Sequence, residues 1–474
     1  MTFSLDSLLS ALHSLLPSAE KDQQLLVALS GGLDSVVLLH GLSVLRQQGK
    51  LKNEIAAVHI NHGLQKEADS WQSFCMNLCN KLDVPISCHS VDLNIPETDS
   101  SSEKTGMEKR GAEKGTVKRG IENAARIARY EVFDGLMGPS TVLLQAHHRD
   151  DQMETLLLRL MRGAGALGLS GIPASRALGM GCLVRPMLQF DRAELLSYAQ
   201  ENDLEWVEDV SNTDQNFDRN YCRHTLLPMV EERWPSYRES WSKTVALESE
   251  SLALQQALAE IDLNSCLNEN ATGLKVDEVM KLDDPRRRNL LRFWLSTLGL
   301  PDLGWNRLRQ LSLEVLAAAE DTARLEGEGY ALLRFRGSLF AVRNDSLTTA
   351  VDQDLQWRFS EPQEFSLQGN GRLISALETG LGLSAEKSVT LNIRYRQGGE
   401  SCHLSGRPRK LLKKILYEHH VEPWLRSRIP LLFCGDELVC IPGIGVAEGY
   451  QAEEGEKGWR VEWEKPRLLV TGLS

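Results

Sequence analysis

The sequence predicts an α/β protein: a doubly wound, mostly parallel sheet, then a helical middle region, then a small α+β domain. Three observations carry this. Short, largely apolar runs at 25–29, 55–60, 84–91 and 141–145 read as strands buried on both faces. Segments of helical spacing at 36–46, 66–82, 121–136 and 151–161 alternate with them, which is the pattern of a parallel sheet covered by helices. After Pro228 the composition turns rich in Leu and Glu. Towards the end it breaks into shorter apolar runs punctuated by Gly and Pro.

A chain of 474 residues is too long for one ordinary domain, and its hydrophobic fraction of 42% is enough for real cores. The composition divides it at 1–228, 229–345 and 346–474, the last opening on a linker near 344–356. The polar stretch 96–120, rich in Lys, Glu, Gly and Ser, reads as a surface loop. No run approaches the roughly 20 apolar residues of a membrane span. The first residues carry Asp6 and Glu20 and read as an amphipathic helix, not a signal peptide, so a soluble, cytoplasmic protein is expected. Nine cysteines without metal-ligand spacing point to reduced, mostly buried thiols and away from structural zinc.

The net charge of −12 argues mildly against nucleic acid, but phosphate affinity depends on local patches. One basic patch spans 394–428 and includes Arg407, Arg409, Lys413 and Lys414. The other is Arg286, Arg287 and Arg288, followed by Arg292. Either is a solvated face or a phosphate-binding surface. Within the first patch, the rings of Tyr417 and Trp424 are open to stacking or to the core.

The turn Ser30-Gly31-Gly32-Leu33-Asp34-Ser35 lies between a strand and a helix. Two glycines let the backbone turn tightly and bring amide groups close to an anion. The serines add hydroxyl donors, and the helix that follows directs its positive end to the same point. This is a phosphate cradle, without the spacing of a Walker loop. The bland alternative is a serine-capped turn.

Asp150, Asp151 and Glu154 fall where the fourth strand passes into a helix. Offsets of three and four place Glu154 on one face with both aspartates. Such a cluster holds Mg²⁺ beside phosphates, attracts an ammonium group, or simply caps the helix. Arg126 and Arg162 suit phosphate charge as planar donors, or form surface ion pairs. His147 and His148 are core residues or lie close to ligand.

Ser-Gly-Gly-x-Asp-Ser after a first strand resembles the pyrophosphate loop of the N-type ATP pyrophosphatases, and the later motifs narrow the resemblance. They are His59-Ile60-Asn61-His62-Gly63-Leu64, Arg126-Ile127-Ala128-Arg129-Tyr130 and Ala146-His147-His148-Arg149-Asp150-Asp151-Gln152-Met153-Glu154-Thr155. Arg162-Gly163-Ala164-Gly165, Val184-Arg185-Pro186-Met187, Asp209-Val210-Ser211-Asn212 and Arg219-Asn220 follow. In this order the set resembles the tRNA(Ile)-lysidine synthetase family over nearly all of 25–228, and 392–442 resembles that family's C-terminal domain. Three departures are the long stretch 96–120, Gln65 where the family often has arginine, and an acidity greater than expected of a tRNA binder.

The resemblance implies ATP bound by Ser30, Gly31, Gly32, Leu33, Asp34 and Ser35, and Mg²⁺ near Asp34 and Asp151. It implies Asp150, Asp151, Glu154, Arg126 and Arg162 close to the chemistry, with His59, Asn61, His62, His147 and Arg219 around them or on substrate. The substrates would be L-lysine and an isoleucine tRNA with a CAU anticodon, held partly by Arg407, Arg409, Lys413 and Lys414. A homodimer is compatible with it. The chief rival is a tRNA 2-thiolase of the same superfamily. That enzyme would be expected to carry a C-x-x-C pair or a persulfide cysteine near the ATP site, and neither is evident. An amidotransferase-linked synthetase would need a glutaminase domain, for which residues 1–25 leave no room.

Overall fold

The computed structural model describes residues 2–16, 23–63, 65, 67–91, 124–209, 213–318, 323–344, 355–386, 390–466 and 468–470. The stretch 96–120, part of the motif 209–212 and most of the 344–356 linker lie outside the described residues. The chain divides into two compact units, Met1–Ala253 and Leu254–Ser474.

The first unit is built on strands β1 (Gln24–Ala28), β2 (Glu54–Asn61), β3 (Ile86–Ser90), β4 (Thr141–Leu144), β5 (Ser175–Leu178) and β6 (Gly181–Val184). Their order is β3-β2-β1-β4-β6-β5. Every pairing is parallel except β5 with β6, so the predicted parallel sheet carries one antiparallel edge. β1 and β4 bury almost every side chain, as strands covered on both faces must.

Helices α1 (Leu5–Leu15), α2 (Leu33–Gln47), α3 (Ala68–Lys81), α4 (residues 124–136), α5 (Arg149–Met161), α6 (Ala166–Leu169) and α7 (Arg192–Glu201) flank this sheet. Leu33, Val36, Val37, Leu38, Leu39, Leu42 and Leu45 make α2 apolar nearly all round, and it is the central buried helix. Local chemistry sets the helix starts. The Ser4 and Ser7 side chains cap α1 reciprocally, and Glu194 accepts the Asp191 amide at 2.9 Å at the head of α7. After α7 come α8 (Asp218–Tyr221), a π-helical turn at Cys222–Leu226, α9 (Leu227–Arg233) and the long α10 (Tyr237–Cys266).

In the second unit, α11 (Val276–Lys281), α12 (Asp284–Thr297) and α13 (Gly304–Gln310) are the helices expected there. The same stretch also holds strands its composition does not announce: β7 (Leu274–Lys275), β8 (Arg324–Glu326), β9 (Tyr330–Phe335) and β10 (Ser338–Arg343), paired antiparallel. Arg336 and Gly337 turn the β9–β10 hairpin, both at positive φ. The C-terminal part is α+β, as expected. Among the described residues it has a five-stranded, a four-stranded and a two-stranded antiparallel sheet and one helix, α14 (Leu412–Glu418).

Candidate active site

The carboxyl ends of β1 and β4 lie side by side, and the two sequence clusters meet there. After β1 the chain turns through Ser30, Gly31 and Gly32 into α2. Gly31 has φ +86°, and a Cβ there would sit 3.2 Å from Cys75 Sγ, so a side chain is strained in both conformation and space. The two serines hold the turn from within. The Ser35 hydroxyl donates to Gly32 O at 2.9 Å, accepts the Ser30 amide at 3.2 Å and lies 3.1 Å from Ser30 Oγ. Leu33 is buried in the core beneath. Asp34, in the first turn of α2, keeps 30% of its side chain exposed. Its Oδ1 is buried and has no hydrogen-bond partner among the described residues.

After β4, His148 is the pivot. Its ring is buried, with Nε2 3.6 Å from Asp34 Oδ2 and 3.5 Å from Asp151 Oδ2, and Nδ1 3.7 Å from Asp150 Oδ2. Burial works against its charge, but Asp151, Asp34 and Asp150 outweigh it and hold His148 above the ordinary imidazole value. One imidazole ring therefore ties the nucleotide-type turn to the head of α5.

Asp151 accepts the His148 amide at 3.0 Å and pairs with Arg219 at 2.9 Å and Arg223 at 3.4 Å. Burial opposes its ionisation. His148, Arg219 and His147 overcome that and bring it down to about 2. Glu154 is 0% exposed, and both its oxygens are taken: Arg219 Nε at 2.6 Å on one, Arg223 Nε at 2.6 Å on the other. Asp150 turns the other way. It accepts the Arg192 amide and Arg238 Nε, each at 2.8 Å, which fastens α5 to the starts of α7 and α10.

His147 receives a hydrogen bond from Arg185 Nε on Nδ1 at 3.2 Å. Burial is the largest cause of its shift. Asp151 opposes it, while Arg185, Arg219 and His148 add to it, bringing His147 down to about 4. With Nδ1 accepting, the ring proton is on Nε2, so neutral His147 presents a donor and not a base.

The other predicted residues divide. His59 Nδ1 lies 2.9 Å from Leu29 O and ties β2 to β1. Asn61 accepts the Gly63 amide at 2.9 Å and reaches Asp69 at 3.1 Å, shaping the turn after β2. His62 is pushed down to about 4 by burial, then by Arg129 and His59. Arg162 lies at the far end of α5 from Asp151, 68% exposed and 3.9 Å from Asp218. Arg126 projects from α4 over the Tyr130 ring, 5.7 Å from its centroid. These two arginines are not gathered with the carboxylates.

Sequence reasoning missed Arg223 and Arg238. The four-residue offset from Arg219 to Arg223 was the signal for the first, since it puts both on one helical face. Arg238 carried none: it reaches Asp150 across 88 residues of sequence.

The basic patches also resolve. Arg286 pairs with Asp262, and Arg287 is buried on Val279, Met280 and Leu282 carbonyls, so two arginines of that patch serve the fold. In the other patch, Arg407, Arg409, Lys413 and Lys414 are exposed and make no ion pair with a carboxylate among the described residues. Trp424 belongs to the core, whereas Tyr417 is 68% exposed.

Five histidines lowered by burial first, His40, His59, His62, His147 and His419, set a pH response, in which His62 and His147 shift far. His62 and His147 titrate near 6.5 when unfolded and near 4 in the fold. Between those values the unfolded chain binds more protons, so stability falls as the pH drops from about 6.5 to about 4. His148, raised, adds slope only above that window. Asp151, lowered to about 2, adds it only below the ordinary carboxylate value. Thermal melts at steps from pH 7 to pH 4.5 are expected to fall steadily, and His147→Gln to flatten the trend. A flat wild-type profile would refute the assignment.

A parallel sheet with a Ser-Gly-Gly-x-Asp-Ser turn on its central strand, faced by a histidine–carboxylate–arginine cluster, defines a nucleotide-binding protein of the PP-loop class. Residues 5–230 match the family described as the PP-loop domain. Residues 274–340 match the TilS substrate binding domain, and 391–463 the TilS substrate C-terminal domain. The chain is 36% identical over 445 residues to the tRNA(Ile)-lysidine synthase of Coxiella burnetii, covering 93% of each. It is 38% identical over 453 residues to that of Pseudomonas fluorescens, covering 92% of each. It belongs to the tRNA(Ile)-lysidine synthase family.

Proposed function

We propose that the protein ligates L-lysine to C2 of the wobble cytidine in an isoleucine tRNA with a CAU anticodon, using ATP. The observation that carries this is the likeness to tRNA(Ile)-lysidine synthases along 93% of the chain. The geometry at the ends of β1 and β4 supplies the chemistry.

In the first step cytidine O2 attacks the α-phosphorus of ATP. The new O–P bond forms as the α–β bridge breaks, and pyrophosphate leaves. The Ser30–Ser35 turn cradles the leaving phosphates with backbone amides and the start of α2. In the second step the ε-amine attacks C2, the C–N bond forms, and the C–O bond to AMP breaks. The amine must reach the site neutral and release a further proton.

The residues present fit a divalent cation, because Asp34 Oδ1 is a buried carboxylate oxygen without a partner among the described residues. Asp34 would hold Mg²⁺, with Asp151 behind it, and the ion would neutralise phosphate charge. Glu154 acts through Arg219 and Arg223, fixing two guanidiniums beside the reacting phosphates.

A thiolase reading has no support from the cysteines. Cys75 and Cys79, nearest the turn, are raised to about 12, by burial first, and are not thiolates. Among the described residues no helix is long and apolar enough to cross a membrane, and a tRNA substrate suits the cytoplasm. We place the catalytic domain at 1–228, a middle domain at 229–345 and a tRNA-binding domain at 346–474.

The direct test is mass analysis of nucleosides from isoleucine tRNA after incubation with ATP and labelled lysine. Lysidine is expected, with AMP and pyrophosphate released in equal amounts. Pyrophosphate release without RNA or lysine, or an unmodified cytidine, would defeat the proposal.

The C-terminal cations give a second test. Changing Arg407, Arg409, Lys413 and Lys414 together to alanine is expected to raise the tRNA KM and reduce the slope of log affinity against log salt. The reduction is about 0.7–0.9 for each phosphate no longer neutralised. Turnover at saturating tRNA should fall much less. Unchanged affinity, or abolished turnover at saturation, would contradict this division of labour.

A further inference from the structure

Beside the candidate site lies a group of arginines that form no ion pair with a carboxylate among the described residues. Arg185 follows β6 directly and is only 4% exposed. It donates to Pro173 O at 2.7 Å, Gln145 Oε1 at 3.0 Å and His147 Nδ1 at 3.2 Å, all uncharged acceptors. Arg159 on α5 donates to Gly168 O at 2.8 Å and Gly171 O at 2.6 Å. Arg176 on β5 and Arg126 on α4 both lie over the Tyr130 ring, at 4.9 Å and 5.7 Å from its centroid.

Carbonyls and a ring face position a guanidinium without cancelling its charge. The cations feel one another: Arg159 is lowered by burial and then by Arg126, and Arg185 by burial first, with Tyr130 opposing and Arg176 and Arg126 adding to the shift. Among the described residues none of the four pairs with a carboxylate. Glu131 and Asp134 share the walls of the adjoining cleft of about 390 Å³ but bridge to none of them. Arg185 is buried without a counter-charge, which is costly, and the exposed guanidiniums of Arg126 and Arg176 add positive charge beside it, so an anion belongs here.

We infer that this cluster seats a backbone phosphate of the RNA strand flanking the target nucleotide. The inference rests on the reading of the chain as a tRNA-modifying enzyme. The triphosphate already has its cradle at the end of β1. In the order β1-β4-β6-β5, Arg185 and Arg176 stand two and three strands away, roughly 10 and 14 Å at ordinary strand spacing. A second, separate phosphate fits that distance. With guanidiniums over Tyr130, the site holds the strand in register and does not read bases.

Arg126 and Arg176 are the exposed members, so Arg126→Gln and Arg176→Gln, singly and together, are suitable variants, with melts confirming the fold. tRNA binding is measured directly over a salt series, and KM is measured for tRNA, ATP and lysine. The double variant is expected to bind tRNA at least about tenfold more weakly, with a salt slope lower by about 0.7–0.9 for each phosphate left without its cation. KM for ATP and lysine should not move. Unchanged tRNA affinity and slope would overturn the inference. So would a rise in the ATP KM, which assigns the cluster to the triphosphate, or in the lysine KM, which assigns it to the amino-acid carboxylate. Binding is read without turnover. A wild-type protein that binds tRNA through this cluster yet forms no lysidine would defeat the proposed function and leave the phosphate seat standing.

Discussion

Asp34→Ala is expected to lower ATP-dependent pyrophosphate release by about 10²–10³-fold, the scale of losing one preorganised electrostatic group at a reacting centre. The fold should survive. Asp34 is partly exposed, and its carboxylate at the start of α2 contributes about 0.3–1 kcal/mol through the helix dipole. Its Oδ1 serves no partner among the described residues, so its chemistry is directed outward. Its Oδ2 faces the His148 ring, which keeps two other carboxylates within 3.7 Å when Asp34 is removed. Asp34→Asn keeps the shape and deletes the charge, and it should be impaired almost as much if a cation or phosphate charge is what Asp34 manages. Pyrophosphate release and a thermal melt on the same preparations decide it. A folded Asp34→Ala protein with near-normal turnover would remove the turn from the reaction.

The legible features in the sequence were those written in short range. Apolar runs and helical spacing placed the sheet, because a strand buried on both faces has to be apolar throughout. The Ser-Gly-Gly turn was legible because its geometry demands glycine at φ +86°. Asp151 and Glu154 were legible as a pair, since their spacing puts both on one helical face. Their partners were not. Arg219 and Arg223 reach Glu154 from 65 and 69 residues away, and nothing local distinguishes an arginine that will be buried on a carboxylate from one left in water. The same limit hid the contrast between Asp150, spent on α7 and α10, and its neighbour Asp151. It also hid the difference between Arg287, folded onto carbonyls, and Arg407, which pairs with no carboxylate among the described residues. The hairpin β9–β10 was missed for another reason: its run of Ala and Leu suits a buried helix as well as a strand.

Glu154→Gln is expected to damage stability and turnover together. The wild-type carboxylate is fully buried and balances two guanidiniums, with side chains 38% and 27% exposed. Removing one partner from a buried ion pair costs about 3–5 kcal/mol, and the partly exposed arginines put this case near the lower figure. A glutamine keeps the volume but accepts with only one oxygen, so one arginine must find water or Asp151. Turnover should then fall because Arg219 and Arg223 are no longer fixed beside Asp151. Glu154→Asp retains the charge on a shorter arm and should recover stability more than activity, since it neutralises the arginines without holding them in place. Denaturant melts and steady-state kinetics on both variants separate the alternatives. Stability held within about 0.5 kcal/mol with turnover abolished would mean that Glu154 touches lysine or metal directly, as its sequence position suggested. Reduced stability with normal turnover at low temperature would reduce the arginine pair to a structural clamp.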